Sequence, residues 1–127
     1  MFTRMDQSTK EEWDHIYNEH LPHVFDMPKR IISMLEQLEG VSLGFGTDQL
    51  HHALQTATMA RRANAPDEMI LISLIHDIGK VINVPNHGQI CAEIINLMFQ
   101  MMPIILFERI RIFRVNIIIT IKENPEI

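Results

Sequence analysis

Asn64-Ala65-Pro66-Asp67-Glu68-Met69-Ile70-Leu71-Ile72-Ser73-Leu74-Ile75-His76-Asp77-Ile78-Gly79-Lys80 is the stretch on which the fold turns. Asn64 to Asp67 read as the turn into a helix. From Asp67 to Ile78 the residues are apolar with few interruptions. That length predicts a central, buried helix over about 67–78, although Ile70 to Ile75 read alone also suits a buried strand. His76 and Asp77 stand at its end. Burying an imidazole beside a carboxylate is costly unless a partner compensates both, and a cation is the usual partner. The pair therefore points to a metal site. Gly79-Lys80 is not a phosphate loop, since no glycine lies at position 74 and no Ser or Thr at 81.

Working back toward the N-terminus, Thr47 or Asp48 caps a third helix, with Leu50, Ala53, Leu54, Ala57 and Ala60 along one side. The segment Gly40 to Gly46 holds three of the five glycines and reads as a loop. Asp26-Met27-Pro28 opens a second helix whose apolar face is Ile31, Ile32, Met34, Leu35 and Leu38, with Gly40 as its stop. Ser8-Thr9-Lys10-Glu11 has capping-box spacing with Ser8 as the cap, predicting a first helix to about His20 that ends before Pro22. Downstream, a loop with Asn83, Pro85 and Asn86 leads to a fifth helix over about 87–98.

The fold class expected is all-α: about five helices in residues 1–100, with the third and fourth as a central antiparallel pair. Residues 101–127 change character. Nine of these 27 residues are isoleucine, no helix cap is present, and Asn116 to Ile121 reads as a strand or an aggregation-prone segment. Such an apolar tail also offers a route to an oligomer.

At 127 residues, 46% hydrophobic and 21% charged, the chain fits one ordinary globular domain. Its net charge of -5, without a run of Lys or Arg, argues against a nucleic-acid partner. The single Cys91 excludes an internal disulfide framework and agrees with a reducing compartment. No signal peptide and no membrane span is legible, so a cytoplasmic location is expected.

The histidines are spaced to meet. His52 and His76 lie twelve residues either side of Asn64. In an antiparallel helical hairpin each would stand about 18 Å from the turn, at roughly 1.5 Å per residue, and so level with the other. Asp77 follows His76 closely enough to project toward the same side. Two histidines and a carboxylate with open positions suit Fe(II) foremost, with Mn, Zn or Mg as other occupants. His87 at the start of the next helix is placed for a second ion bridged by Asp77. His51 is expected toward solvent or behind the ligands, and His15, His20 and His23 on a solvated face. The nine methionines, Met98, Met101 and Met102 among them, are expected as core fillers.

The strings His52-Ala53-Leu54-Gln55-Thr56-Ala57, Leu74 to Lys80, Asn86-His87-Gly88 and Ala92-Glu93-Ile94 together resemble the HD-domain superfamily. The branch they resemble holds the HD-type phosphonate oxygenases, inositol oxygenase and small proteins labelled as HD phosphohydrolases. The resemblance covers about residues 1–95. It implies that His52, His76 and Asp77 hold a first metal and that Asp77 bridges to a second held by His87. It also places Lys80 where inositol oxygenase contacts its substrate, which suits a small anionic or polyhydroxylated ligand; a solvated lysine closing the helix is the plainer reading. The superfamily pattern further calls for a later histidine and a later aspartate. No histidine follows His87 and no aspartate follows Asp77, so a truncated or frameshifted member is expected. Three functions follow from the resemblance: foremost a metal-dependent phosphohydrolase with Asp77 and Lys80 in its chemistry, next a non-haem diiron oxygenase cleaving a C–C or C–P bond, and last an inactive remnant.

Overall fold

The computed structural model describes residues 1–100, all of it helices, turns and loops with no strand among the described residues. The expectations for residues 101–127 lie outside the described residues. Helix α1 spans Lys10–Phe25, α2 Met27–Glu36, α3 Gln49–Arg62 and α4 Asp67–Ile75, and α5 covers 87–100. Short 3-10 turns occupy Met5–Gln7 and Ile78–Val81.

The capping box forms one residue later than its spacing suggested. Thr9 is the cap: its Oγ1 accepts from the Glu12 N–H at 3.3 Å, and the Glu12 carboxylate accepts from the Thr9 N–H at 3.1 Å. Ser8 is committed elsewhere, donating its hydroxyl to the Met5 carbonyl at 2.8 Å across the preceding 3-10 turn. Nor does α1 stop before Pro22. It runs through the proline to Phe25, and the Asp26 N–H closes the last turn on the Pro22 carbonyl at 3.1 Å. Pro22 forgoes its own bond back along the helix, but its carbonyl still accepts, so the last turn closes beyond it. No residue of α1 is buried.

Helix α2 starts as expected, with Pro28 in its first turn, and buries Ile31 and Leu35; Leu38 follows into the core just beyond its end. Gly40 takes a φ of +74°, a conformation that costs an L-residue dearly. Asp48, one of the two expected caps, starts α3. Its Oδ1 accepts from the His51 N–H at 2.7 Å and its Oδ2 from the Gly40 N–H at 3.0 Å. One carboxylate thus ties the start of α3 to the loop leaving α2.

The turn between α3 and α4 closes as a Schellman motif. Ala65 N–H bonds the Ala60 carbonyl and Asn64 N–H the Arg61 carbonyl, both at 3.0 Å, with Asn64 left-handed at φ +55°. α3 and α4 then form the most extensive helix pair among the described elements. Ala53 and Ala57, both fully buried, let the two backbones approach closely.

Two features of α4 differ from expectation. It ends at Ile75 rather than Ile78, and it is central only toward that end. Leu74, Ile75 and Ile78 are fully buried, while Ile70 to Ile72 are half-buried and Met69 is exposed. At Asp77 the backbone leaves helical geometry (φ -112°, ψ 2°) and re-enters the core through the Ile78–Val81 turn. Burial of Ile78 decides this, because a straight helix would have carried it on past the core. Leu38, Ala53, Ala57, Leu74, Ile75, Ile78, Cys91 and Met98 belong to one continuous cluster.

Candidate metal centre

The break after α4 builds the site. Asp77 stands just before the 3-10 turn without capping it, is 6% exposed, and both of its carboxylate oxygens have neighbours. His52 on α3 brings its Nε2 to 3.5 Å from Oδ2, and His76 brings its Nε2 to 3.3 Å from the same oxygen. His87, from the first turn of α5, sets its Nε2 3.2 Å from Oδ1. The rings of His52 and His76 meet edge to face at 5.3 Å between centroids. The level placement read from the spacing about Asn64 therefore holds.

Backbone carbonyls fix two of the three imidazoles. His76 Nδ1 lies 2.7 Å from the Ser73 carbonyl and His87 Nδ1 2.6 Å from the Val84 carbonyl. A carbonyl only accepts, so each Nδ1 carries a proton, and Nε2 is the nitrogen turned toward Asp77 and placed to ligate once its own proton is displaced. His52, His76 and Asp77 offer ligand atoms that all lie within 4.8 Å of one another. Donors about 2.1 Å from a shared ion stand roughly 3.0 to 3.4 Å apart in octahedral or tetrahedral arrangements, close to the separations found here. The donor set thus fits a divalent metal.

Lys80 also enters the cluster rather than closing the helix in solvent. Its side chain is 11% exposed, and Nζ donates to Asp77 Oδ2 at 2.7 Å and to Gln49 Oε1 at 2.6 Å. Burial pushes the Asp77 carboxyl up. The Lys80 hydrogen bond and the charges of His76, Lys80 and His87 outweigh that and hold it below its ordinary value. The carboxylate is therefore ionised and ready to ligate.

The 3-10 turn is seated against α5 without slack. A Cβ on Gly79 would lie 2.5 Å from the His87 carbonyl oxygen, and the Gly79 N–H bonds the buried Cys91 Sγ at 3.2 Å. Glycine is required here by closeness, and the contact positions His87. The other three predicted ligands and Lys80 are thus gathered around the Asp77 carboxylate. His15, His20 and His23 lie exposed on α1, His23 against Arg30 at 2.8 Å, and His51 is half-buried outside the donor group.

Gln49 escaped the sequence reading. The signal was available: it lies four residues before Ala53 and eight before Ala57, a polar residue on the buried stripe of α3.

Comparison with known proteins bears on the same segment. The family model for myo-inositol oxygenase matches residues 7–99, and this range contains every residue of the cluster. The chain belongs to the myo-inositol oxygenase family. A viral relative, the uncharacterized protein L432 of Acanthamoeba polyphaga mimivirus, is 31% identical over 72 residues. That alignment covers 56% of this chain and 33% of L432, so the chain matches about a third of its relative's length. No solved structure gives a significant match. Within the described residues no helix is long and apolar enough to cross a membrane.

Proposed function

We propose that this member of the myo-inositol oxygenase family is a non-haem diiron oxygenase acting on a small polyhydroxylated substrate. The observation that carries the reading is the two-sided use of Asp77. One oxygen faces His52 and His76 and the other faces His87, which is the arrangement of a carboxylate shared between two ions. In this reading His52, His76 and Asp77 hold one iron, and Asp77 and His87 the other. When bound, the irons supply electrons to dioxygen and positive charge to substrate oxygens.

The chain's own groups do the rest. The carbonyls of Ser73 and Val84 keep two imidazoles in the ligating tautomer. Asp77 stays ionised under the charge of Lys80. Lys80 offers its ammonium to a substrate hydroxyl or anionic oxygen beside the donors, as the resemblance places it. The four donors among the described residues would leave positions open on two ions.

The family match favours the oxygenase over the phosphohydrolase first expected, and the donor set alone suits either. Anaerobically purified protein, reconstituted with Fe(II) and measured by elemental analysis, tests the site. Iron retained by the wild type and lost on His76→Ala is the expected result. Oxygen uptake on adding myo-inositol, or a hydroxyalkylphosphonate for C–P cleavage, supports the oxygenase. Phosphate release that persists without oxygen, with Mn, Zn or Mg bound, restores the hydrolase. A folded protein that holds no metal leaves the inactive remnant.

A further inference from the structure

Gln49 is a buried polar residue whose purpose the metal site does not explain. It is 2% exposed, on the buried side of α3 with Ala53, Leu54, Ala57 and Thr58, and its backbone N–H is fastened to the Val41 carbonyl at 2.9 Å. An enclosed side chain on a tethered backbone has little room to move. Its Oε1 receives Lys80 Nζ at 2.6 Å from an element 31 residues further along the chain.

Lysine is a poor positional anchor by itself, since its four-carbon stem carries three freely rotating donors. Here two of the three are taken, one by Asp77 Oδ2 and one by Gln49 Oε1, so the direction of the third is set. The Phe45 ring, 6.0 Å from Nζ, lies over the same ammonium. The chemistry at position 49 suits this task. An amide oxygen accepts strongly yet adds no negative charge to compete with Asp77 for the ammonium.

We propose that Gln49 is a positioning residue, fixing the Lys80 ammonium so that its remaining N–H points at the substrate. This rests on the reading of Lys80 as the substrate-contacting group. Gln49 acts through Lys80 and ligates nothing, so its loss leaves metal binding intact. Preorganisation of this kind saves the ordering of a flexible side chain during binding.

Reductive methylation of the full chain with formaldehyde, read by mass spectrometry, tests the contact without metal or substrate. Lys80 in the wild type is expected to react far more slowly than exposed Lys29. Gln49→Met raises the Lys80 rate about ten-fold, the weight of one hydrogen bond to a charged donor. Gln49→Glu restores an acceptor oxygen and with it the slow rate. A folded Gln49→Met protein with Lys80 still slow, or Gln49→Glu as fast as Gln49→Met, overturns the proposal. Should Gln49→Met not fold, nitrogen-edited NMR of the wild type decides. A cross-peak between the Lys80 ammonium and the Gln49 side chain is expected, and its absence overturns the contact.

With turnover in hand, Gln49→Met raises KM for myo-inositol about ten-fold with kcat changed less, and Gln49→Glu brings KM back. Protected Lys80 without turnover on any substrate rejects the oxygenase reading but keeps the contact. Turnover with unprotected Lys80 rejects the contact alone.

Discussion

Helix α1 and the α3–α4 hairpin are both well-formed, yet they contribute differently. α1 is the longest of the four helices α1 to α4, has a complete capping box and buries nothing. The hairpin has a cap at one end, a Schellman turn in the middle and a break at the other end, and it supplies Ala53, Leu54, Ala57, Leu74 and Ile75 to the core and three of the site's donors. Local signals make a helix; burial makes it consequential. The site sits where the second region departs from helical regularity, at His76 and Asp77, because that departure turns both the carboxylate and Ile78 inward.

The comparison predicts unequal costs. The largest effect is expected at the seat of the break. Gly79→Ala forces a methyl to within contact distance of the His87 carbonyl and Ile90 Cβ, so the turn and α5 must separate. A loss of about 3 kcal/mol in denaturant unfolding, together with weakened binding of a second iron per chain, follows from overpacking at a rigid contact. Wild-type stability and two-iron loading in this variant would show that the turn is not seated as described.

An intermediate effect is expected at the start of α3. Two backbone hydrogen bonds, from His51 and then from Gly40, hold the Asp48 carboxyl below its ordinary value of 3.8. Because the folded value is the lower, the stabilisation is complete above the ordinary value and fades as pH falls through the depressed folded one. Asn caps about as well as Asp but does not titrate in this range. Only one side-chain atom of Asn accepts, so Asp48→Asn keeps the His51 bond and loses the Gly40 one; urea unfolding should find it less stable near neutral pH by about 1 kcal/mol and less sensitive to acid below about pH 4. Equal acid sensitivity of the two proteins would remove Asp48 as the source.

The smallest effect is expected on α1. Thr9→Ala removes one member of an exposed capping box and should cost about 1 kcal/mol or less. Iron content should not change, because no residue of α1 is buried and none lies in the donor group. A fall in iron content in this variant would mean that α1 supports the site after all, and the contrast between the two regions would fail.

Much of the architecture was legible. The five helices follow from apolar periodicity and cap chemistry, and the meeting of His52 with His76 follows from equal spacing about Asn64. Boundaries were less legible for physical reasons. Ser8 and Thr9 offer equivalent hydroxyls, and the competing bond from Ser8 to Met5 is visible only in three dimensions. Pro22 reads as a stop, but a proline near a helix end removes a single bond and the turn closes around it. The continuous apolar run to Ile78 reads as unbroken helix, since hydrophobicity does not record that the core lies to one side of the axis.

The sequence alone determined that the domain is helical, which helices pair, and that histidines and an aspartate would converge, because turn chemistry and residue counts fix the register of a hairpin. Tertiary structure decided where α4 breaks, which oxygen of Asp77 faces which histidine, and that Gln49 grips Lys80. Those outcomes depend on close packing between elements far apart in the chain, and no local preference encodes a contact at that distance.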